Sequence, residues 1–221
     1  MPSDTSRRLQ LATKRLIDLL GSAAGLVVLS PVLAGAGLAV WASMGRPLLF
    51  SQQRPGYKGR LFKMNKFRTM HSPEEGEVWL FTDDKRLTPV GRFLRRTSLD
   101  ELPELWNVLR GDMSLVGPRP LLAEYLVKYT PAQRRRHDVK PGITGWAQVN
   151  GRQTITFSER FEHDVWYVDH FGLGLDLKIL LMTIRDVFRS RGVVPGQNVD
   201  DVDDLGFISE KPANTARLAR R

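Results

Sequence analysis

LLGSAAGLVVLSPVLAGAGLAVWASM, from Leu19 to Met44, is a run of 26 residues without a single charge. As one helix it would reach about 39 Å at ~1.5 Å per residue, more than the ~30 Å hydrocarbon core of a bilayer. A cleavable signal peptide has an apolar core of only ~7–15 residues, and a buried soluble helix rarely stays uncharged this long. The stretch is therefore expected to enter a membrane. At its centre stands Ser30-Pro31. Proline removes a backbone donor and crowds the preceding turn, so a bend or break is expected there. Both flanks are basic, with Lys14 and Arg15 before and Arg46, Arg54, Lys58, Arg60 and Lys63 after. Positive charge on both sides gives no preferred crossing direction. A kinked spanning helix and a re-entrant hairpin both satisfy these observations.

Outward from the run, 221 residues provide ample length for a core beside the membrane segment. A net charge of +9 implies an anionic partner: nucleic acid, anionic lipid headgroups or phosphorylated substrates. The absence of cysteine removes disulfides, thiolate nucleophiles and Cys-ligated zinc. The four histidines form no HExxH or HxxxH pair, which argues against a histidine metal site.

Past the apolar run, residues 48–54 and 60–67 flank Pro55-Gly-Tyr-Lys-Gly59, a hairpin signal. Period two on the second strand predicts Lys66 and Arg68 on one face. Residues 71–85 read as an acidic loop. Ser98-Leu-Asp-Glu101 fits a capping box, with Ser98 as N-cap and Glu101 reaching back, followed by Leu102, Leu105, Trp106 and Leu109 on a helical face and Gly111 as the stop. Acids in a first turn are ordinary capping chemistry. Here, however, Arg95 and Arg96 precede them and Gly117-Pro-Arg119-Pro120 follows. A guanidinium fixed between prolines can grip phosphate oxygens, and a neighbouring carboxylate can coordinate Mg²⁺. The set reads as phosphoryl chemistry, with one carboxylate as nucleophile or base, one for metal, and cations for charge.

The order Lys66-Phe-Arg68-Thr-Met, Asp84-Lys-Arg86-Leu-Thr88, Gly91-Arg-Phe-Leu-Arg95, Ser98-Leu-Asp-Glu-Leu-Pro103, Asn107-Val-Leu-Arg-Gly111, Met113-Ser-Leu-Val-Gly-Pro-Arg-Pro120 and Lys140-Pro-Gly-Ile-Thr-Gly145 resembles the bacterial sugar transferases, small monotopic phosphoglycosyl transferases. The resemblance covers roughly residues 12–195. It implies transfer of a sugar 1-phosphate from a UDP-sugar to a polyprenyl phosphate, usually undecaprenyl phosphate, with release of UMP, as the first membrane step of glycoconjugate assembly (capsule, exopolysaccharide, O-antigen or glycoprotein glycan). It further implies Asp100 as a nucleophile forming a phosphosugar–aspartate intermediate, Glu101 beside it in binding Mg²⁺, and Lys66, Arg95 and Arg119 as phosphate-handling cations, with Arg68 grouped beside Lys66. Ser30 and Pro31 match the break of a re-entrant membrane helix that leaves both ends cytoplasmic, at the bacterial inner membrane. Asp164, Tyr167 and Asp169 fall where the family has a polar motif, and Asp169 is taken as the substrate-binding candidate.

The expected fold is α+β: a basic N-terminus with a re-entrant helix over 1–47, a mainly helical catalytic domain with a small β-hairpin and interfacial amphipathic helices over 48–195, and a polar tail over 196–221. Within it, 121–129 reads as a short helix, 134–136 as a solvated basic turn or a contact for anionic headgroups, and 140–149 as a loop leading to a strand-like stretch. The aromatics of 157–171 read as core or interfacial layer. Residues 176–191 read as a helix whose Leu177, Leu180, Leu181, Ile184, Val187 and Phe188 stripe packs into the core or lies in the membrane interface. With no large N-terminal domain ahead of the apolar run, a minimal catalytic form is expected. Expected partners are the donor, the lipid acceptor and anionic lipid, without nucleic acid; monomer and homodimer are both left open. The competing reading is a non-catalytic, membrane-anchored basic adaptor.

Overall fold

A computed structural model describes residues 4–72, 86–151, 154–188 and 203–207. Most of the loop at 71–85, the motif residue Asp84, the end of the helix expected to reach 191 and most of the tail at 196–221 lie outside the described residues.

The apolar run is divided where the sequence indicates. Helix α1 (Asp4–Val28) and helix α2 (Ser30–Met44) meet at Leu29 with a bend of 62° between Leu9–Val28 and Ser30–Met44. Pro31 cannot donate to the carbonyl four residues back, Val27. The Ser30 hydroxyl donates to that carbonyl instead, at 2.8 Å, while Leu33 N reaches Leu29 O at 2.8 Å. Serine thus replaces the donor that proline lacks, and the bend leaves the Val27 carbonyl satisfied. Among the described residues no single helix is long and apolar enough to cross a membrane; the bent pair is, by length and composition.

The hairpin follows as expected. Strand β1 (Leu49–Pro55) pairs antiparallel with β2 (Leu61–Phe67), Leu49 opposite Phe67 and Pro55 opposite Leu61. Its face toward helix α2 carries Phe67, which clusters with Ala36, Val40 and Leu94. Arg68 departs from expectation. The strand ends at Phe67, so period two no longer governs the next residue. Its guanidinium donates to the carbonyls of Met44, Gly45 and Arg46, and so stops helix α2 by satisfying its last orphan acceptors. Arg68 thus holds the end of helix α2 instead of sharing a strand face with Lys66.

The largest correction concerns the capping box. Thr88 caps helix α3 (Pro89–Thr97), accepting from Gly91 N at 2.9 Å. That helix ends on Ser98, which is left-handed at φ 58° and makes no side-chain cap bond. Ser98 is therefore a helix C-terminus rather than an N-cap. Leu99–Glu101 form one turn of 3₁₀ helix, and helix α4 (Glu104–Arg110) starts only after Pro103. The reversal at left-handed Ser98 places Asp100 and Glu101 on a short corner in the 3₁₀ turn that leads into helix α4. Gly111 does stop helix α4, at φ 91° with its N–H on Asn107 O.

Beyond the corner, β3 (Ser114–Val116) pairs in parallel with β4 (Gly142–Thr144), a sheet the sequence reading lacked. Residues 121–129 supply a 3₁₀ turn, Ala123–Val127, and Pro131–Arg134 is the short helix α5. The strand expected near 149 is in fact β4, and Trp146–Asn150 is helix α6. Helix α7 (Phe157–Asp169) opens on a capping box of Thr156 and Glu159. It buries Phe157 and Phe161 against Tyr125, Tyr129, Leu121 and Phe207. Helix α8 (Leu173–Phe188) buries Ile179 in a second cluster with Val116, Val139, Tyr167 and Val168. The stripe read as core or interfacial splits: Leu177, Leu181 and Ile184, spaced four and three apart, face outward and are more than half exposed.

Helix α1 is tied into this body by polar bonds from the residues just before the apolar run. Lys14 pairs with Asp176 at 2.6 Å and donates to Val116 O at 2.9 Å. Asp18 accepts from Ser114 Oγ at 3.0 Å and Leu115 N at 2.9 Å, and Arg15 caps helix α4 through Val108 O and Leu109 O.

Candidate active site

Strand β2, the corner and the Pro118-Arg119-Pro120 segment converge on Glu101. Lys66 Nζ lies 2.8 Å from Glu101 Oε1. Arg119 reaches the same carboxylate with two donors, Nη2 on Oε1 and Nη1 on Oε2 at 3.2 Å, the bidentate geometry suited to a guanidinium. Pro118 and Pro120 are buried, and the Arg119 carbonyl accepts from Arg136 Nη2 at 2.7 Å, so the segment is held at its backbone.

Asp100 is adjacent and almost buried, at 8% exposure. Burial, then the negative charge of Glu101, push its carboxyl above the ordinary range, against the opposing pull of Lys66, Arg95 and Arg119. Arg95 is placed on helix α3 with Nε 3.2 Å from Thr69 Oγ1. Glu101 goes the other way. Burial would raise it, but Arg119 and Lys66 outweigh burial and hold it well below the usual carboxylate range. Two neighbouring carboxylates are thereby driven apart, one committed to its charge and one able to share a proton or attack.

Sequence reasoning missed two contributors. Glu104 is fully buried beneath Lys66, 3.2 Å from its ammonium but without an aligned hydrogen bond at either oxygen. Burial pushes its carboxyl up to about 7. Asn107, also fully buried, donates to Lys63 O at 2.7 Å and accepts from Asn65 N at 3.1 Å. It clamps the strand carrying Lys66 to the helix carrying Glu104. An acid and an amide at i and i+3 on an otherwise apolar helix face were the available signal.

Two other expectations fall outside this centre. Asp169 is exposed and pairs with Arg135 at the surface. The basic run 134–136 is not uniformly solvated. Arg136 is 2% exposed, bonded to Asp164 through Nε at 3.0 Å and Nη2 at 2.6 Å and to the Tyr129 hydroxyl at 3.0 Å. A buried guanidinium is tolerable only with such complete pairing.

A groove of about 590 Å³ is lined by Leu33, Gly37, Trp41, Arg46, Leu48 and Pro103, the last of these two residues from Glu101 in sequence.

The bacterial sugar transferase family model matches residues 9–190, most of the chain. The chain belongs to the bacterial sugar transferase family. It is thus a transferase, which sets aside the non-catalytic adaptor. It is 51% identical over 180 residues to the uncharacterized sugar transferase EpsL of Bacillus subtilis, covering 81% of this chain and 89% of that one. It is 42% identical over 181 residues to the UDP-glucose:undecaprenyl-phosphate glucose-1-phosphate transferase of Escherichia coli, covering 77% and 39%. It is 37% identical over 210 residues to the undecaprenyl-phosphate galactose phosphotransferase of Salmonella typhimurium, covering 86% and 43%. The chain thus spans about two fifths of the length of these last two bacterial sugar transferases.

Magnesium can be tested against the donor set. Among the described residues no group of three or more carboxylate, histidine or cysteine side chains could hold a metal ion. The Asp100-Glu101 pair offers neighbouring oxygen donors, which fits an ion held by one or two carboxylates with its remaining ligands from substrate phosphate and water.

Proposed function

We propose that this chain transfers a sugar 1-phosphate from a UDP-sugar to polyprenyl phosphate, of the undecaprenyl type, through a covalent intermediate on Asp100. The single observation that carries this is the Asp100–Glu101 corner, in which a buried carboxylate stands beside one clamped by Lys66 and Arg119. The names of the relatives supply the substrates.

In the first half, an Asp100 carboxylate oxygen attacks the sugar-bearing phosphorus. The bond to the bridging oxygen breaks and UMP leaves. In the second, a phosphate oxygen of the polyprenyl acceptor attacks the same phosphorus, the acyl phosphate bond breaks, and the Asp100 carboxylate is restored. Each step brings anion to anion, which is why cations crowd the corner. Arg119 and Lys66, positioned by Glu101 in the resting state, are placed to meet incoming phosphate oxygens, with Arg95 nearby. Raising the Asp100 carboxyl makes it a better nucleophile than an ordinary aspartate. Asp100 and Glu101 would hold Mg²⁺, which when bound supplies further charge neutralisation to the diphosphate.

The lipid acceptor accounts for the anchor. The bent pair α1–α2 with basic flanks suits a re-entrant segment whose two ends lie on the cytoplasmic side of the inner membrane, the outward apolar stripe of helix α8 lies in the interface, and the groove lined in part by Pro103 opens to the prenyl chain.

The test is UMP release from a panel of UDP-sugars with polyprenyl phosphate and Mg²⁺. One donor should give stoichiometric UMP and lipid-linked sugar. Release from no donor in the panel would overturn the reading.

A further inference from the structure

An acid in the first turn of a helix ordinarily stands in water near the free N–H groups there. Glu104 opens helix α4 but keeps none of its side chain exposed, and neither carboxylate oxygen has a hydrogen-bond partner. One turn further along the same helix, Val108 packs with Met64 and Met113. Lys66 Nζ lies 3.2 Å from Glu104 Oε1 and 2.8 Å from Glu101 Oε1, so one ammonium is shared by two acids. The acids differ in reach. Lys66, Glu101 and Arg119 keep 17%, 21% and 29% of their side chains exposed, whereas Glu104 keeps none. A phosphate arriving at the site can meet the first three and cannot meet the fourth. The frame behind the buried pair is fixed as well. Asn107, on the same helix, donates to Lys63 O and accepts from the N–H of Asn65, the residue before Lys66. Strand β2 and helix α4 therefore carry Lys66 and Glu104 at a set separation.

We infer that Glu104 is a positioning residue of the transfer, which keeps the Lys66 ammonium at the site when phosphate oxygens compete with Glu101 for it. This role rests on the transferase reading above. A lysine is a point charge on a flexible stem, so its place depends on what holds it. Arg119 is held at its backbone by Arg136 and needs no such help. Among the described residues, Glu101 and Glu104 are the partners of the Lys66 ammonium. Once phosphate displaces Glu101, Glu104 is the acid that remains. Its two unspent acceptor oxygens let it take a donor from Lys66 without giving up another bond.

The placement costs the fold stability, which an acid serving only the fold would not do. Burial raises the Glu104 carboxyl to about 7 even with Lys66 beside it. A glutamine would fill the same space with no charge to desolvate. A buried carboxylate without an aligned partner calls for a role outside packing, and the cation above it supplies that role.

The experiment is steady-state kinetics on the full chain in lipid nanodiscs at pH 8, where Glu104 is ionised, beside thermal melts of the same preparations. UMP release is followed with polyprenyl phosphate as acceptor and the UDP-sugar that wild type uses. Glu104→Gln is expected to lower kcat about tenfold, with the donor KM within about twofold of wild type, as for a contact made in the transition state. Its melting temperature should not fall. Glu104→Asp, which keeps the charge on a shorter stem, is expected to recover part of the rate. A Gln variant with wild-type kcat overturns the positioning role and leaves the transferase reading standing. A slower Gln variant that also melts lower overturns it too, because lost packing would explain both. So does an Asp variant no faster than Gln, because charge would then not be what Lys66 needs. No turnover by wild type with any donor overturns the transferase reading, and this role with it.

Discussion

The Glu104 carboxylate lies 3.2 Å from the Lys66 ammonium and is fully buried beneath it. Its carboxyl is raised from 4.5 to about 7, so the folded state prefers the neutral form. For an acid raised on folding, stability is greatest below the unfolded value and declines as pH rises from about 4.5 to about 7. The cost at pH 8 is on the order of 3 kcal/mol. Glu104→Gln is expected to melt higher than wild type at pH 8, with the difference disappearing near pH 5. An equal difference at both pH values in thermal melts would refute this.

Asp100→Asn is expected to abolish turnover in a folded protein, read as UMP release. Full activity in this variant would rule out a covalent aspartate. In wild type the raised Asp100 carboxyl must ionise to attack, so turnover should climb with pH through its titration and fall on the acid side.

Ser98 separates the observed corner from the capping box that its sequence suggests. A left-handed conformation costs a residue with a side chain about 1–2 kcal/mol, which glycine does not pay. Ser98→Gly is expected to raise stability by up to ~1 kcal/mol after the entropy of a glycine is subtracted. A capping serine would instead lose nothing to glycine beyond a few tenths. Chemical or thermal denaturation distinguishes the two.

Asp164→Ala leaves the Arg136 guanidinium buried without its ionic partner, a loss of roughly 3–5 kcal/mol. Asp169→Ala breaks only an exposed pair with Arg135 and should barely move the melting temperature. Comparing the two variants shows which aspartate of the segment the fold depends on.

Replacing Leu177, Leu181 and Ile184 together by serine removes the outward stripe of helix α8 while leaving Ile179 in the core. The variant should keep its melting transition but bind vesicles more weakly in flotation. Unchanged flotation would mean that this face does not meet lipid.

Much of this was legible because the signals were local. Proline in an uncharged run marked the bend, Pro55-Gly56 marked the hairpin, and Gly111 marked a helix end. Lys66, Asp100, Glu101 and Arg119 were named from spacing and resemblance, and the fold brings them together. What stayed hidden depended on partners distant in sequence. Nothing near Arg68 says that Met44 carbonyl needs a donor, and nothing near Arg136 says that Asp164 waits inside. The capping box failed for a related reason: the pattern Ser-x-x-Glu assumes a helix begins there, whereas a preceding helix ended on the same serine. The stripe of helix α8 has the right period for a core, and period alone cannot say which side faces protein.

Helix α1 lends Lys14, Arg15 and Asp18 to the interior of the body it anchors, where they satisfy Asp176, the end of helix α4 and the first residues of β3. An anchor built this way is not a detachable tether. Cutting the chain after residue 47 would remove one wall of the house along with its foundation, leaving Asp176 to the Tyr167 hydroxyl and the end of helix α4 without the guanidinium that caps it. A more soluble form is better sought by replacing the exposed apolar residues of α1 with polar ones and leaving Lys14, Arg15 and Asp18 untouched.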